Sequence, residues 1–307
     1  MSIGDDVLTG ILTEEVLATI AIGGSVTQTV RKLDTTNLSL LAESANYGGA
    51  ILAIATDEEY YYIGGAVTQT VQKRRKSDFG LVAESASYGG GIWAIVVDSD
   101  NVYVAGDTTR KVRKLNLADL TFVADSAGYG DDIRTMTGDS DNIYIGGKAL
   151  TGTVQKIRKS DLVKVAESAV YYAVDSIAAN STHIFVGGYN VGTVHKIWKL
   201  RIDDLVKVAE STVGYGGGIW ALTLDSTDVF VGGETTQKVQ KFRQTDLQFL
   251  GESASYGGTI RALAVVGNAI FVGGLTTQTV RKLDTTNLSL LAESANYGGS
   301  ILAIQEG

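Results

Sequence analysis

Seven times along this chain a hydrophobic run ends in a pair of small residues: Gly23-Gly24, Gly64-Gly65, Ala105-Gly106, Gly146-Gly147, Gly187-Gly188, Gly232-Gly233 and Gly273-Gly274. Their first positions are separated by 41, 41, 41, 41, 45 and 41 residues. An acid-Ser pair keeps the same beat, starting at Glu43, Glu84, Asp125, Glu167, Glu210, Glu252 and Glu293, and is usually followed by Tyr-Gly-Gly. A unit of this size cannot bury a core alone, so the copies must stack into one body. Residues 1–307 are therefore expected to form a single domain of seven repeats of about 41 residues.

The copy beginning at Gly91 reads as four strands. Ile92 to Val97 is a short apolar run suited to a strand buried on both faces. Asp98-Ser99-Asp100-Asn101 is a turn cluster whose side chains bond nearby backbone groups, and Val102 to Val104 is a second strand stopped by Ala105-Gly106. Lys111 to Leu115 forms a third, and Leu120 to Asp125 a fourth. No segment shows a sustained 3.6-residue apolar period. Short strands with regular turn signals match one sheet of an all-β, seven-bladed β-propeller of four-stranded antiparallel blades.

The chain ends suggest how such a ring closes. Ile301-Leu302-Ala303-Ile304 repeats Ile51-Leu52-Ala53-Ile54, yet no further copy follows it. Val16 to Ile22 reads as a second strand that lacks a first. The carboxy-terminal strand is expected to pair with it, removing an exposed sheet edge, with Val7 to Leu12 the competitor for that place.

A strand ending in Gly-Gly and followed by a charged strand such as Val30-Arg31-Lys32-Leu33-Asp34 resembles the repeats of PQQ-like, YVTN-type and kelch-like β-propellers. The resemblance spans residues 7–304 and implies a fold, with no function attached. The later repeat tryptophan of kelch, the Gly-His and Trp-Asp pairs of WD40 repeats and the sialidase Asp box are absent. Residues 27–49 and 277–299 are identical over 23 positions. This points either to recent amplification or to a blade copied by design.

Composition narrows the function classes. Cysteine is absent, which excludes disulfides, thiolate catalysis and cysteine-ligated metals. Proline is also absent, as expected if one proline-free ancestral unit was amplified. A formal charge of −8 argues against a general affinity for nucleic acid or anionic membranes. No apolar stretch is long enough for a membrane helix, and the start, Met1 to Asp6, lacks the pattern of a secretory signal. A monomer without cofactor is expected, and its compartment is left unassigned.

The repeated features have structural explanations. Basic third strands such as Lys73-Arg74-Arg75-Lys76 face the acids of the fourth strands, where opposite charges stabilise pairing. The Asp-rich turns lack the further oxygens of a calcium loop. His183 and His195 lie on different strands with no visible nucleophile or metal set. The tyrosines of Tyr-Gly-Gly are expected to pack between units.

Where the copies disagree is more informative. Aligned first strands place Leu52, Trp93, Arg134, Asp175, Trp220, Arg261 and Leu302 at one position, between an apolar and a small residue in every copy. A second variable ring, Ser25, Ala66, Asp107, Lys148, Tyr189, Glu234 and Leu275, follows the small pair. In the expected fold both rings open on the channel mouth. Trp93, Arg134, Asp175, Trp220 and Arg261 are the candidate ligand-binding residues, suited to a glycan or an extended peptide. The functional expectation is a non-catalytic binding or interaction scaffold. The alternatives are an amplified or engineered repeat protein with no evolved ligand, and an enzyme using Asp132, Arg134, Asp175 and Arg261 for acid–base work.

Overall fold

The computed structural model describes residues 18–189 and 195–307. The fold is all-β, with 28 strands and no helix among these residues, and hence no helix able to cross a membrane. One sheet shows the plan: Ile92–Val97, Asn101–Gly106, Arg113–Asn116 and Phe122–Asp125 pair in chain order, each antiparallel to the next. The terminal sheet joins the two ends of the chain. Ile301–Glu306 pairs with Thr19–Gly24, followed by Arg31–Asp34 and Leu40–Glu43. The competing segment, Val7 to Leu12, lies outside the described residues.

The first strands of the sheets adjoin one another in sequence order, and the last, Ile301–Glu306, packs against both Ile260–Val266 and Ile51–Thr56. The apolar core lies between successive sheets. One cluster combines Ala53, Tyr62, Val71 and Tyr88 with Ile92, Val102, Val104 and Leu115 of the following unit. Another joins Phe271, Val280 and Tyr297 to Ile20, Ile22 and Leu33, across the two ends of the chain.

Two sets of side chains tie each unit to its neighbour. The Tyr47 hydroxyl donates to the Thr70 carbonyl at 2.6 Å, and Tyr88, Tyr129, Tyr215 and Tyr256 repeat the bond one unit further on. Tyr297 carries it to Thr29 at 2.5 Å. Tyr171, in the divergent fourth copy, makes the same bond to the Lys196 carbonyl. The third-strand lysines form the second set, correcting the expectation that these cations simply pair with the adjacent strand. Lys73 Nζ donates to the Leu117 carbonyl at 2.8 Å and Lys241 Nζ to that of Thr285 at 2.9 Å, and Lys282 Nζ reaches Thr36 at 3.5 Å. The preceding residue is the one that meets the fourth-strand acid: Arg31 with Glu43, Arg113 with Asp125 and Arg281 with Glu293.

The acid-Ser marker also has a local cause. Ser44 Oγ accepts from the Val30 N–H at 2.8 Å and donates to the Ala45 carbonyl, so a backbone donor that enters no ladder is satisfied. Ser85, Ser126 and Ser253 do the same. The fourth strand starts later than the sequence suggests, at Phe122. Leu120 lies in the turn with φ of 60°, and its side chain is buried. A left-handed leucine costs about 1–2 kcal/mol, which full burial of the side chain, worth about 1.5–3 kcal/mol, offsets.

The fourth copy differs for a backbone reason. Gly48, Gly89, Gly130, Gly216, Gly257 and Gly298, each directly after the repeat tyrosine, all have positive φ. The equivalent residue after Tyr171 is Tyr172, which disfavours that conformation. The chain extends there instead: Tyr172–Ala179 begins early and pairs at Ala173 and Tyr172 with Lys148 and Gly152 of the long strand Asn142–Gly152. Two neighbouring sheets are thereby joined into one of eight strands.

Candidate functional site

Near the start of each first strand the ladder to the second strand slips by one residue. It passes from Ile51 to Ala53, from Ile92 to Ala94, from Ile133 to Thr135, from Val174 to Ser176, from Ile219 to Ala221 and from Ile260 to Ala262. In the terminal sheet the register skips Leu302, opposite Gly23 and Gly24. The skipped residues are the variable set, Leu52, Trp93, Arg134, Asp175, Trp220, Arg261 and Leu302. Each is the extra residue of a β-bulge, and a bulge releases its residue from the pleat and re-aims its side chain.

The second glycine of each pair makes the bulge sterically feasible. A Cβ on Gly106 would stand 1.8 Å from the Gly91 carbonyl oxygen, one on Gly147 1.8 Å from that of Asp132, and one on Gly24 1.7 Å from that of Ser300. The marker that reads as a strand stop is thus also what lets the backbone approach the bulge.

Three consecutive residues of every first strand, together with Gln305, line a cavity of about 440 Å³. The bulge residues form one tier. Next along the strands come small residues, Ala in five copies and Thr135 and Ser176 in the other two, and then an aliphatic tier that includes Ile54, Met136, Leu222 and Ile304. All five predicted site residues line this cavity.

Its charged groups are held against the aromatic ones. Arg134 Nη1 donates to Asp175 Oδ1 at 2.9 Å, with the Asp175 side chain 2% exposed. The Arg134 guanidinium lies 5.9 Å from the Trp93 ring and 5.6 Å from the Trp220 ring, and that of Arg261 lies 4.2 Å over Trp220. Trp93 Nε1 donates to Asp107 Oδ2 at 3.1 Å, so the second variable ring braces the first. The Trp220 Nε1–H is buried and has no acceptor among the described residues.

Burial pushes the Asp175 carboxyl above its ordinary value of 3.8, against the opposing pull of Arg134 and Arg261. The native state therefore binds this proton more tightly than the unfolded chain does. The contribution of Asp175 to stability falls as pH rises from 3.8 through the raised native value. Asp175→Asn keeps an acceptor for Arg134 without the buried charge. Its urea midpoint relative to the parent protein is expected to rise from acid to neutral pH, and an opposite trend would show that the ion pair outweighs desolvation.

Asp132, grouped with the cavity acids on sequence grounds, is placed elsewhere. It lies 3.5 Å from Arg110 and does not line the cavity, whose lining carries a single carboxylate among the described residues, Asp175. The sequence reading also overlooked Thr135 and Ser176, although they are the two departures from alanine in an otherwise constant position.

No protein-family model matches the chain, and no curated protein matches it. Among solved structures it is similar to the computationally designed Ika8 protein, with a TM-score of 0.71 and 17% identity over 94% of this chain and 90% of that one. At this identity the likeness concerns the fold alone.

Proposed function

We propose that the chain is one closed, seven-bladed β-propeller domain that acts as a non-catalytic binding scaffold, with its ligand at the mouth of the central cavity. The cyclic adjacency of the first strands supports the closed form, as do the Tyr297–Thr29 and Lys282–Thr36 bonds and the pairing of residues 301–306 with 19–24. The observation that carries the binding reading is the convergence of seven bulge residues, variable positions flanked by near-constant neighbours, on one cavity. Aromatic faces and guanidinium groups in a concavity of this size are what ligand sites use. The one lining carboxylate among the described residues is already engaged by Arg134, which favours binding over acid–base work.

The test is a glycan and peptide array. Binding is expected, and it should be lost in Trp93→Ala and Trp220→Ala with the circular dichroism spectrum intact. Hits indifferent to both substitutions would overturn the site. The second reading, an engineered or amplified scaffold with no evolved ligand, draws on the 23-residue identity and on the designed origin of the similar structure. A blank array would favour it.

A further inference from the structure

We infer that the cavity selects a monocarboxylate carried on an apolar body, with the carboxylate on Arg261 and the body in the aliphatic shaft. This inference rests on the binding reading above and names the class of ligand. Its first support is charge. Among the described residues the lining holds two guanidinium groups, Arg134 and Arg261, and one carboxylate, Asp175, which leaves one positive charge in excess. Asp175 is bonded to Arg134, whereas Arg261 makes no hydrogen bond or ion pair among the described residues.

The neighbouring acids do not fill that role. Both Asp107 oxygens are taken, by the Gly91 N–H and the Trp93 indole. Asp175 and Glu234 attract Arg261 at longer range, but neither forms an ion pair or hydrogen bond with it among the described residues. Burial also draws the Arg261 guanidinium below its ordinary value, a sign that its charge is poorly solvated. A partly buried guanidinium without a bonded partner is costly, and a carboxylate offers two acceptor oxygens in the geometry it matches.

The second support is the order of the tiers. Five of the seven bulge residues are charged or aromatic, while small residues, mostly alanine, and then largely aliphatic side chains follow along the strands. A ligand charged throughout would leave part of its charge unpaired in the shaft, and a neutral apolar one would leave Arg261 unanswered. The same chemistry is presented by a short fatty acid and by the free carboxyl terminus of an apolar peptide.

Titration calorimetry with matched pairs tests this: octanoate against 1-octanol, and acetyl-Leu-Leu acid against its amide. At least one acid is expected to bind tenfold or more tightly than its neutral partner, and the pair that responds identifies the source. For a responding fatty acid, lengthening the chain from hexanoate to octanoate should strengthen binding about fourfold per methylene. Arg261→Gln should remove the preference for the acid while sparing the neutral partner. Should that variant not fold, Arg261→Lys, which keeps the charge and loses the paired donors, should weaken the acid alone. Equal binding of acid and neutral partner, or full acid affinity in a folded Arg261→Gln protein, overturns the inference. Absence of both acids alongside tryptophan-dependent hits on the array rejects the carboxylate and leaves the binding reading standing. Absence of any ligand rejects both.

Discussion

Deleting residues 301–307 is expected to abolish the folded monomer. Ile301 and Ile304 are 0% and 8% exposed, and burying each contributes roughly 1.5–3 kcal/mol. The deletion also strips Thr19–Gly24 of its partner from Ile20 to Gly24, and each buried backbone group left unbonded costs about 1–3 kcal/mol. Against a typical total stability of about 5–15 kcal/mol, the sum is too large to survive. Insoluble protein is the expected outcome, or an oligomer in which one chain's free edge is filled by a strand from another. Light scattering coupled to size exclusion separates these cases. A truncated monomer with an unchanged urea midpoint would refute the role assigned to the terminal strand.

The two positions of a Gly-Gly pair are expected to respond very differently to alanine. At Gly64 an added Cβ meets Ile92 Cγ2 at 2.6 Å, a side-chain atom that can move. The chain itself contains this substitution as Ala105, in a sheet whose register matches the others. Gly64→Ala should therefore cost about 1–2 kcal/mol. At Gly65 the Cβ falls 2.0 Å from the Ala50 carbonyl oxygen, which is backbone held in the bulge. Gly65→Ala should cost about 3 kcal/mol or more, because relief requires undoing the bulge that positions Leu52. Denaturant midpoints of the two variants decide the matter. Equal costs would mean that the bulge is not what demands glycine.

Much of the architecture was legible before any coordinates. The recurrence of the small pair and of the acid-Ser pair, together with strands of four to six residues separated by Asp, Asn and Ser, specifies repeated antiparallel sheets because each signal is local. The near-repeat of Ile51-Leu52-Ala53-Ile54 at Ile301 likewise anticipated the pairing of the chain ends. The variable positions were legible too. Trp93, Arg134, Asp175, Trp220 and Arg261 stood out against constant neighbours, and the structure brings all five to one cavity.

Other features were not legible, each for a stated reason. Leu120 looked like the start of a strand, since nothing in the identity of a leucine announces a left-handed conformation compensated by burial. The third-strand lysines looked like partners of the adjacent acids, but their acceptors are carbonyls some 44 residues away, as for Lys73 and Leu117. Asp132 looked like a cavity acid because it sits two residues from Arg134, yet the bulge turns only Arg134 inward.

The division follows the range of the forces involved. Strand alternation, turn chemistry and the glycine requirement act over a few residues, so the sequence by itself determined the repeated four-stranded units and the positions free to vary, though not the joining of two of them into one sheet. The cavity and its chemistry arise where seven distant strands meet. That Arg134 bonds Asp175 while Arg261 lies over the Trp220 ring was decided only by the tertiary structure, because it depends on which unit neighbours which.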